Sequence, residues 1–196
     1  MKSKAATTKT NIIVASCCVL FLLVFLGGIG NCVRRRLREQ ARRAVCLSNL
    51  RQLQLAWDMY ATENDDKIVN GMAGRNREQD GTVVERAWTG RDWADDYEAG
   101  EQLPQQSQDQ AIRAGALSPY LPIVTAYRCP NGLPGQMRTY SIVDSMNGVP
   151  RPRTQEDGVW MKRRMDMREH GQRIVFVDVG RATPDSFAVH YDKEQW

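Results

Sequence analysis

Residues 44–67, AVCLSNLRQLQLAWDMYATENDDK, decide the fold of this 196-residue chain. A mostly apolar stripe recurs through them at steps of 4, 3, 4 and 3, the spacing of one helix face. The stripe consists of Cys46, Leu50, Leu53, Trp57 and Tyr60, and Leu47, Ala56 and Met59 widen it. Because residues 31–62 contain neither Gly nor Pro, they predict one long helix whose apolar face lies in a core.

An uncharged segment precedes this helix. Residues 12–30, IIVASCCVLFLLVFLGGIG, run for 19 residues without a charged side chain. As a helix they span about 28 Å, close to the hydrocarbon thickness of a bilayer. We predict a cytoplasmic N-terminus (1–11), a transmembrane helix (12–33) retained as an anchor, a helical stalk and core helix (34–62) and a head (63–196). A cleaved signal sequence is the alternative.

Charge is distributed unevenly along the chain. Residues 34–43, RRRLREQARR, hold six Arg against Glu39, and we call this segment the arginine collar. The remainder, 44–196, holds 18 Lys and Arg against 22 Asp and Glu. The overall charge of +4 therefore does not indicate a nucleic-acid partner. By the positive-inside rule, the collar alone would place the head in the cytoplasm.

The rest of the chain predicts short elements. Residues 67–106 are rich in Gly and polar residues and indicate a loop-rich insertion with short extended pieces. Ser107 is a candidate cap for a short helix at 108–117. Short strands are predicted at 126–129, 138–143, 158–161, 173–178 and 187–191. One long helix followed by short antiparallel strands predicts an α+β fold.

Several blocks, in order, resemble a bacterial family, the pseudopilin-like proteins related to the major pseudopilin of type II secretion. The first is Cys-Leu-Ser-Asn-Leu-Arg-Gln-Leu at 46–53, with Met-Tyr and Asn-Asp after it. Further blocks are GALSPYL at 115–121, YRCP at 127–130, RTYS at 138–141 with MNG at 146–148, and FVD at 176–178. The resemblance covers about residues 12–192.

The chain departs from the family pattern at both ends. Family members carry a prepilin peptidase site with a Glu at the start of the apolar run, whereas this run opens Thr10-Asn11-Ile12-Ile13. Relatives often continue into a closing strand, whereas this sequence stops shortly after His190. The head is therefore predicted either to lack this closing strand or to be truncated at its C-terminus, and no prepilin peptidase site is recognised.

The resemblance implies a pilin-like fold, in which a long N-terminal helix packs on a small antiparallel β-sheet and spans the membrane with its first half. It implies a non-enzymatic structural subunit of a type II secretion-like or pilus-like system. The implied location is the bacterial inner membrane, single-pass, with the head in the periplasm. This orientation is opposite to the one that the positive-inside rule gives from the arginine collar. The implied partners are the lipid bilayer, other pseudopilin subunits and inner-membrane secretion components.

An oxidising periplasm would allow Cys46 and Cys129, which lie in two of the family blocks, to form a disulfide bond. Two buried free thiols are the alternative.

Patterns for catalysis and metal binding are weak. The only histidines are His170 and His190, and no Cys-x-x-Cys is present, which argues against zinc. A triad of Ser186, His190 and Asp178 lacks a Gly-x-Ser-x-Gly elbow, so we predict no enzyme. We predict no cofactor. Calcium on an acidic loop is an open alternative to a solvated loop, formed by Asp92, Asp95, Asp96 and Glu98.

A second function class is a stand-alone, membrane-anchored periplasmic binding module, for example for glycans. Trp88, Trp93 and Trp160 would then stack on sugar rings. Exposed tryptophans on a flat face would support this interpretation, and buried ones would remove its support.

Overall fold

The chain has an α+β architecture in a computed structural model that describes residues 2–151, 160–167 and 173–188. Its elements in order are α1 (Lys2–Glu63), β1 (Arg77–Gln79), β2 (Thr82–Glu85), α2 (Gln105–Ala114), β3 (Tyr140–Ile142) and β4 (Phe176–Asp178). Two 3-10 turns, Val124–Tyr127 and Arg164–Asp166, lie between them. The chain divides into two compact units, Met1–Arg43 and Ala44–Trp196, and we call the second unit the head.

Helix α1 includes both segments predicted to be helical, 12–33 and 34–62, and begins earlier than predicted, at Lys2. It ends where the sequence predicts, because Asp65 and Asp66 adopt positive φ angles of 55° and 64°. The side-chain amide of Asn64 donates to the Tyr60 carbonyl at 2.8 Å and caps the last turn. Among the residues whose side chains the structure describes, which leave out 1–19 and most of 22–29, no helix is long and apolar enough to cross a membrane.

The predicted small sheet is present as two separate antiparallel pairs of strands. Strands β1 and β2 form one pair, joined by Asp80 and Gly81, whose φ angles of 52° and 75° suit a tight hairpin turn. Strands β3 and β4 form the other, with Tyr140 opposite Asp178 and Ile142 opposite Phe176. The hairpin lies inside the stretch predicted to be loop-rich.

Several predicted boundaries are wrong. Residues 126–129 are not a strand, because a 3-10 turn folds Tyr127 back until its hydroxyl donates to the Leu121 carbonyl at 3.1 Å. Ser107 lies inside α2, which begins at Gln105, so it is not the cap.

The other predicted strands shorten or lie partly outside the described residues. Segments 138–143 and 173–178 contract to β3 and β4. In segment 158–161, Met161 forms an isolated bridge to Met146. In segment 187–191, Phe187 forms an isolated bridge to Val143. Residues 158–159 and 189–191 lie outside the described residues.

The head core forms around aromatic side chains. Trp88 stacks on Tyr127 with ring centroids 6.1 Å apart and meets the edge of Phe176 at 5.6 Å. The last turns of α1 contribute Leu53 and Trp57, both fully buried. The head therefore closes over one face of the end of α1.

Candidate functional site

A disulfide bond ties α1 to the rest of the head. Cys46 on α1 and Cys129, 83 residues later, are joined with their Cα atoms 5.0 Å apart. The Asn49 side-chain amide, one turn along, donates to the Arg128 carbonyl at 2.8 Å. The Cys129 amide donates to the Thr139 hydroxyl at 2.8 Å. The bridge thus connects the helix to the segment that leads into β3.

Tyr140 packs beside this bridge. Its hydroxyl donates to the Cys46 carbonyl at 3.4 Å. Burial raises the pKa of Tyr140 to about 12, and the negative charge of Asp178 acts in the same direction. The phenol is therefore a permanent hydrogen-bond donor at neutral pH.

The helix stripe and its opposite face have different environments in the head. Leu53 and Trp57 are fully buried, and Cys46, Leu50 and Tyr60 are half-buried against the core. Leu47 and Met59, predicted to widen the stripe, are instead exposed, because they project from the opposite side of α1 together with Leu55. We call Leu47, Arg51, Leu55 and Met59 the outer face of α1. Three of its four side chains are large, apolar and exposed, and none of these three has a partner among the described residues.

The acidic loop does not assemble as a calcium site. Asp92 is fully buried, and both of its carboxylate oxygens accept hydrogen bonds from Arg138 at 2.7 and 2.8 Å. Asp95 pairs with Arg91 instead. Within the described residues, the one group of three potential metal ligands is Cys46, Cys129 and Asp178, and its two sulfurs form the disulfide. Asp92 is therefore unavailable to an ion.

Arg138 is engaged as well, since four of its five N–H donors make hydrogen bonds. Besides Asp92, it donates to the carbonyls of Tyr140 and Thr183 at 2.8 and 2.7 Å. Its guanidinium also lies 5.4 Å from the centre of the Trp88 ring. The buried pair thus fixes the acidic loop, β3 and the core tryptophan to one another.

The tryptophans do not form the flat surface that sugar stacking requires. Trp88 is fully buried and Trp93 is nearly so, which contradicts their predicted availability. They are buried because their rings pack in the head core. Trp160 is half-buried, its indole nitrogen donates to the Gly148 carbonyl, and Arg77 and Lys162 lie over its ring.

A polar cluster around Glu85 was not predicted from the sequence. Glu85, at the end of β2, accepts hydrogen bonds from Lys162 at 2.8 Å, from Asn147 at 3.2 Å and from Arg77. Arg77 also donates to the Asn147 and Gly148 carbonyls, so the cluster holds the hairpin against the head. A cavity of about 600 Å³ borders it. In the sequence, the Asp80-Gly81 dipeptide could have indicated this cluster, because a tight turn there pairs the two strands that carry Arg77 and Glu85.

The Glu85 cluster predicts a pH-dependent stability. Burial raises the pKa of the Glu85 carboxyl, but hydrogen bonds from Lys162 and Arg77 outweigh it and leave that pKa below its ordinary value. Such a carboxyl contributes stability above its unfolded pKa and loses it as the pH falls through the folded value. We expect Glu85→Gln to lower the free energy of unfolding by about 2 kcal/mol at neutral pH.

Urea unfolding of the full chain in detergent, repeated over a pH series, measures this difference. The two proteins should converge as the pH falls from the unfolded pKa of a glutamate, about 4.3, through the lower folded value. A difference in unfolding free energy between the two proteins that stays constant over this fall in pH would contradict the assigned role of Glu85.

Ser186 is engaged in a structural network. Its hydroxyl donates to the buried Asp144 carboxylate at 2.5 Å and accepts from the Val149 amide at 2.7 Å. Asp178 is exposed on β4, and His190 lies outside the described residues. Of the triad, the structure describes Ser186 and Asp178, and these two do not pair as a nucleophile with a base.

No family model, curated protein or solved structure matches this chain.

Proposed function

We propose that this protein is a membrane-anchored, pseudopilin-like structural subunit of a type II secretion-like or pilus-like system. Residues 12–33 hold it in the bacterial inner membrane, and the head lies in the periplasm. The observation that carries this proposal is the Cys46–Cys129 disulfide. Disulfides persist in oxidising compartments and are rare in the reducing cytoplasm, so a disulfide in the head supports an extracytoplasmic location.

The anchor is supported by the sequence of residues 12–30. An uncharged segment of 19 residues is long enough for a helix to cross the hydrocarbon layer. Lys2, Lys4 and Lys9 on one side and the arginine collar on the other delimit it. Charged residues at both ends are typical of a membrane helix.

Assembly with other copies is supported by the outer face of α1. Leu47 and Leu55 are about 60% exposed, and Met59 is 42% exposed. Large apolar side chains repeated along an exposed helix are typical of a surface that packs against another helix. We propose that the outer face contacts neighbouring subunits and that the head performs no covalent chemistry.

Membrane fractionation and thiol labelling test the location. We expect the full chain to stay in the membrane after alkaline carbonate extraction and its head to be digested by protease added to spheroplasts. Cys46 and Cys129 should react with maleimide only after reduction. A head that resists protease until the inner membrane is opened would contradict the periplasmic location.

Site-directed crosslinking in membranes tests the assembly. In a background lacking Cys17, Cys18 and Cys32, Leu55→Cys should give a ladder of multimers with a bifunctional maleimide. Asp95→Cys is the matched control, since that side chain is 92% exposed but lies off the helix. A clean monomer for Leu55→Cys, together with affinity for glycans, would favour the binding module instead.

A further inference from the structure

The arginine collar is a dense and exposed block of positive charge. Residues 34–43 are helical, and every one of them is exposed. Glu39 is the sole acid in residues 1–43, and it pairs with Arg43 at 2.7 Å. Within this described unit, four arginines remain without an acidic partner: Arg34, Arg35, Arg36 and Arg38.

The position of these arginines matches the headgroup layer beside the proposed anchor. At the rise of an α-helix, Arg34 lies about 6 Å and Arg38 about 12 Å beyond Gly30. The headgroup layer is about 5–7 Å thick on each side of a bilayer. Helical side chains lean toward the N-terminus, here toward the uncharged run, and long cationic side chains reach back to the interface.

The arrangement also suits several ligands at once. Successive helical residues are about 100° apart, so the four arginines cover about 200° of the helix circumference. A guanidinium presents a planar fork of donors that binds phosphate oxygens in pairs. Such groups, spread over about 6 Å of helix length, fit the phosphates of several lipid molecules.

The proposed orientation makes such a ligand necessary. With the head in the periplasm, the collar lies on the side of the membrane where the positive-inside rule disfavours it. The four arginines without an acidic partner carry positive charge there, and the phosphate layer is the source of negative charge that adjoins them. We propose that the arginine collar binds the phosphate groups of anionic phospholipids, of the phosphatidylglycerol class, on the head side of the membrane. This inference rests on the proposed function, because it requires the anchor.

Lipid selectivity in vesicles tests this inference. The full chain is reconstituted into phosphatidylcholine vesicles and into equal parts phosphatidylcholine and phosphatidylglycerol, and spin-labelled lipids report which headgroup contacts the protein. We expect a preference of about tenfold for phosphatidylglycerol, reduced by added salt. The variant R34Q/R35Q/R36Q/R38Q should lose the preference, and the corresponding lysine variant should keep only part of it.

A control with the same loss of charge is available in the head. The variant R75Q/R86Q/R113Q/R163Q removes four exposed arginines outside the collar and should keep the wild-type preference. Equal association with both lipids, or a preference that survives the glutamine collar variant, would overturn the collar's role. Inorganic phosphate at matched ionic strength should not abolish the preference, and if it does, the collar binds free phosphate instead.

Flotation on a sucrose gradient separates the two proposals. Wild-type protein that floats with both vesicles but shows no lipid preference leaves the anchor intact and overturns only the lipid site. Protein that floats with neither vesicle overturns the anchor, and the lipid site with it.

Discussion

Replacing both Cys46 and Cys129 by serine is expected to lower the free energy of unfolding of the head by about 4 kcal/mol. The bridge closes a loop of 83 residues, and a cross-link over so long a loop strongly restricts the unfolded chain. The folded head should change little, since Asn49, Cys129 and Tyr140 make local hydrogen bonds that do not depend on the sulfurs.

Urea unfolding of the full chain in detergent, followed by tryptophan fluorescence, measures this effect. Cys32→Ser is the matched control, because that thiol is exposed and free, and its midpoint should be unchanged. Reductant should reproduce the effect in wild type and have none in the double variant. A double variant as stable as wild type would show that the bridge does not support the head.

Arg138→Met is expected to destabilise the head by about 3–5 kcal/mol, since it leaves the fully buried Asp92 carboxylate without its cation. Two carbonyls, of Tyr140 and Thr183, lose their donors in the same substitution. The double variant Arg138→Met/Asp92→Leu should recover part of the loss, because no unpaired charge remains buried. The same unfolding experiment measures all three proteins.

The Arg91–Asp95 pair, four residues apart and exposed, is the control for this prediction. Arg91→Met should cost less than about 1 kcal/mol, as exposed ion pairs do. Equal losses for Arg91→Met and Arg138→Met would contradict the view that burial sets the strength of the Arg138 pair.

The main helix could be predicted because its signal is local. The spacing of Leu53 and Trp57 fixes which side of α1 is buried, and the Asn64-Asp65-Asp66 turn fixes where α1 ends. The exposure of Leu47 and Met59 could not be predicted in the same way. A helical stripe has no sharp edge in sequence, and the head covers only one side of the helix.

The polar centres of the head could not be predicted, because they depend on contacts between distant segments. Asp92 looked like part of a solvated acidic loop, and only its approach to Arg138, 46 residues later, removes it from solvent. Glu85 meets Lys162 and Asn147 from separate loops. The tryptophans were ambiguous for the same reason, since an indole ring suits a core as well as a sugar.

The place of Cys46 on α1 has a mechanical consequence. It lies two residues inside the head, at the N-terminal edge of the helical stretch that the core covers. Tension that enters the head along the backbone at Ala44 passes through the sulfur bridge into the segment before β3. The turns of α1 that carry Leu53 and Trp57 therefore bear less of this tension. With the disulfide intact, this part of the helix should therefore resist unfolding under a pulling force. With the disulfide reduced, it should unfold one turn at a time.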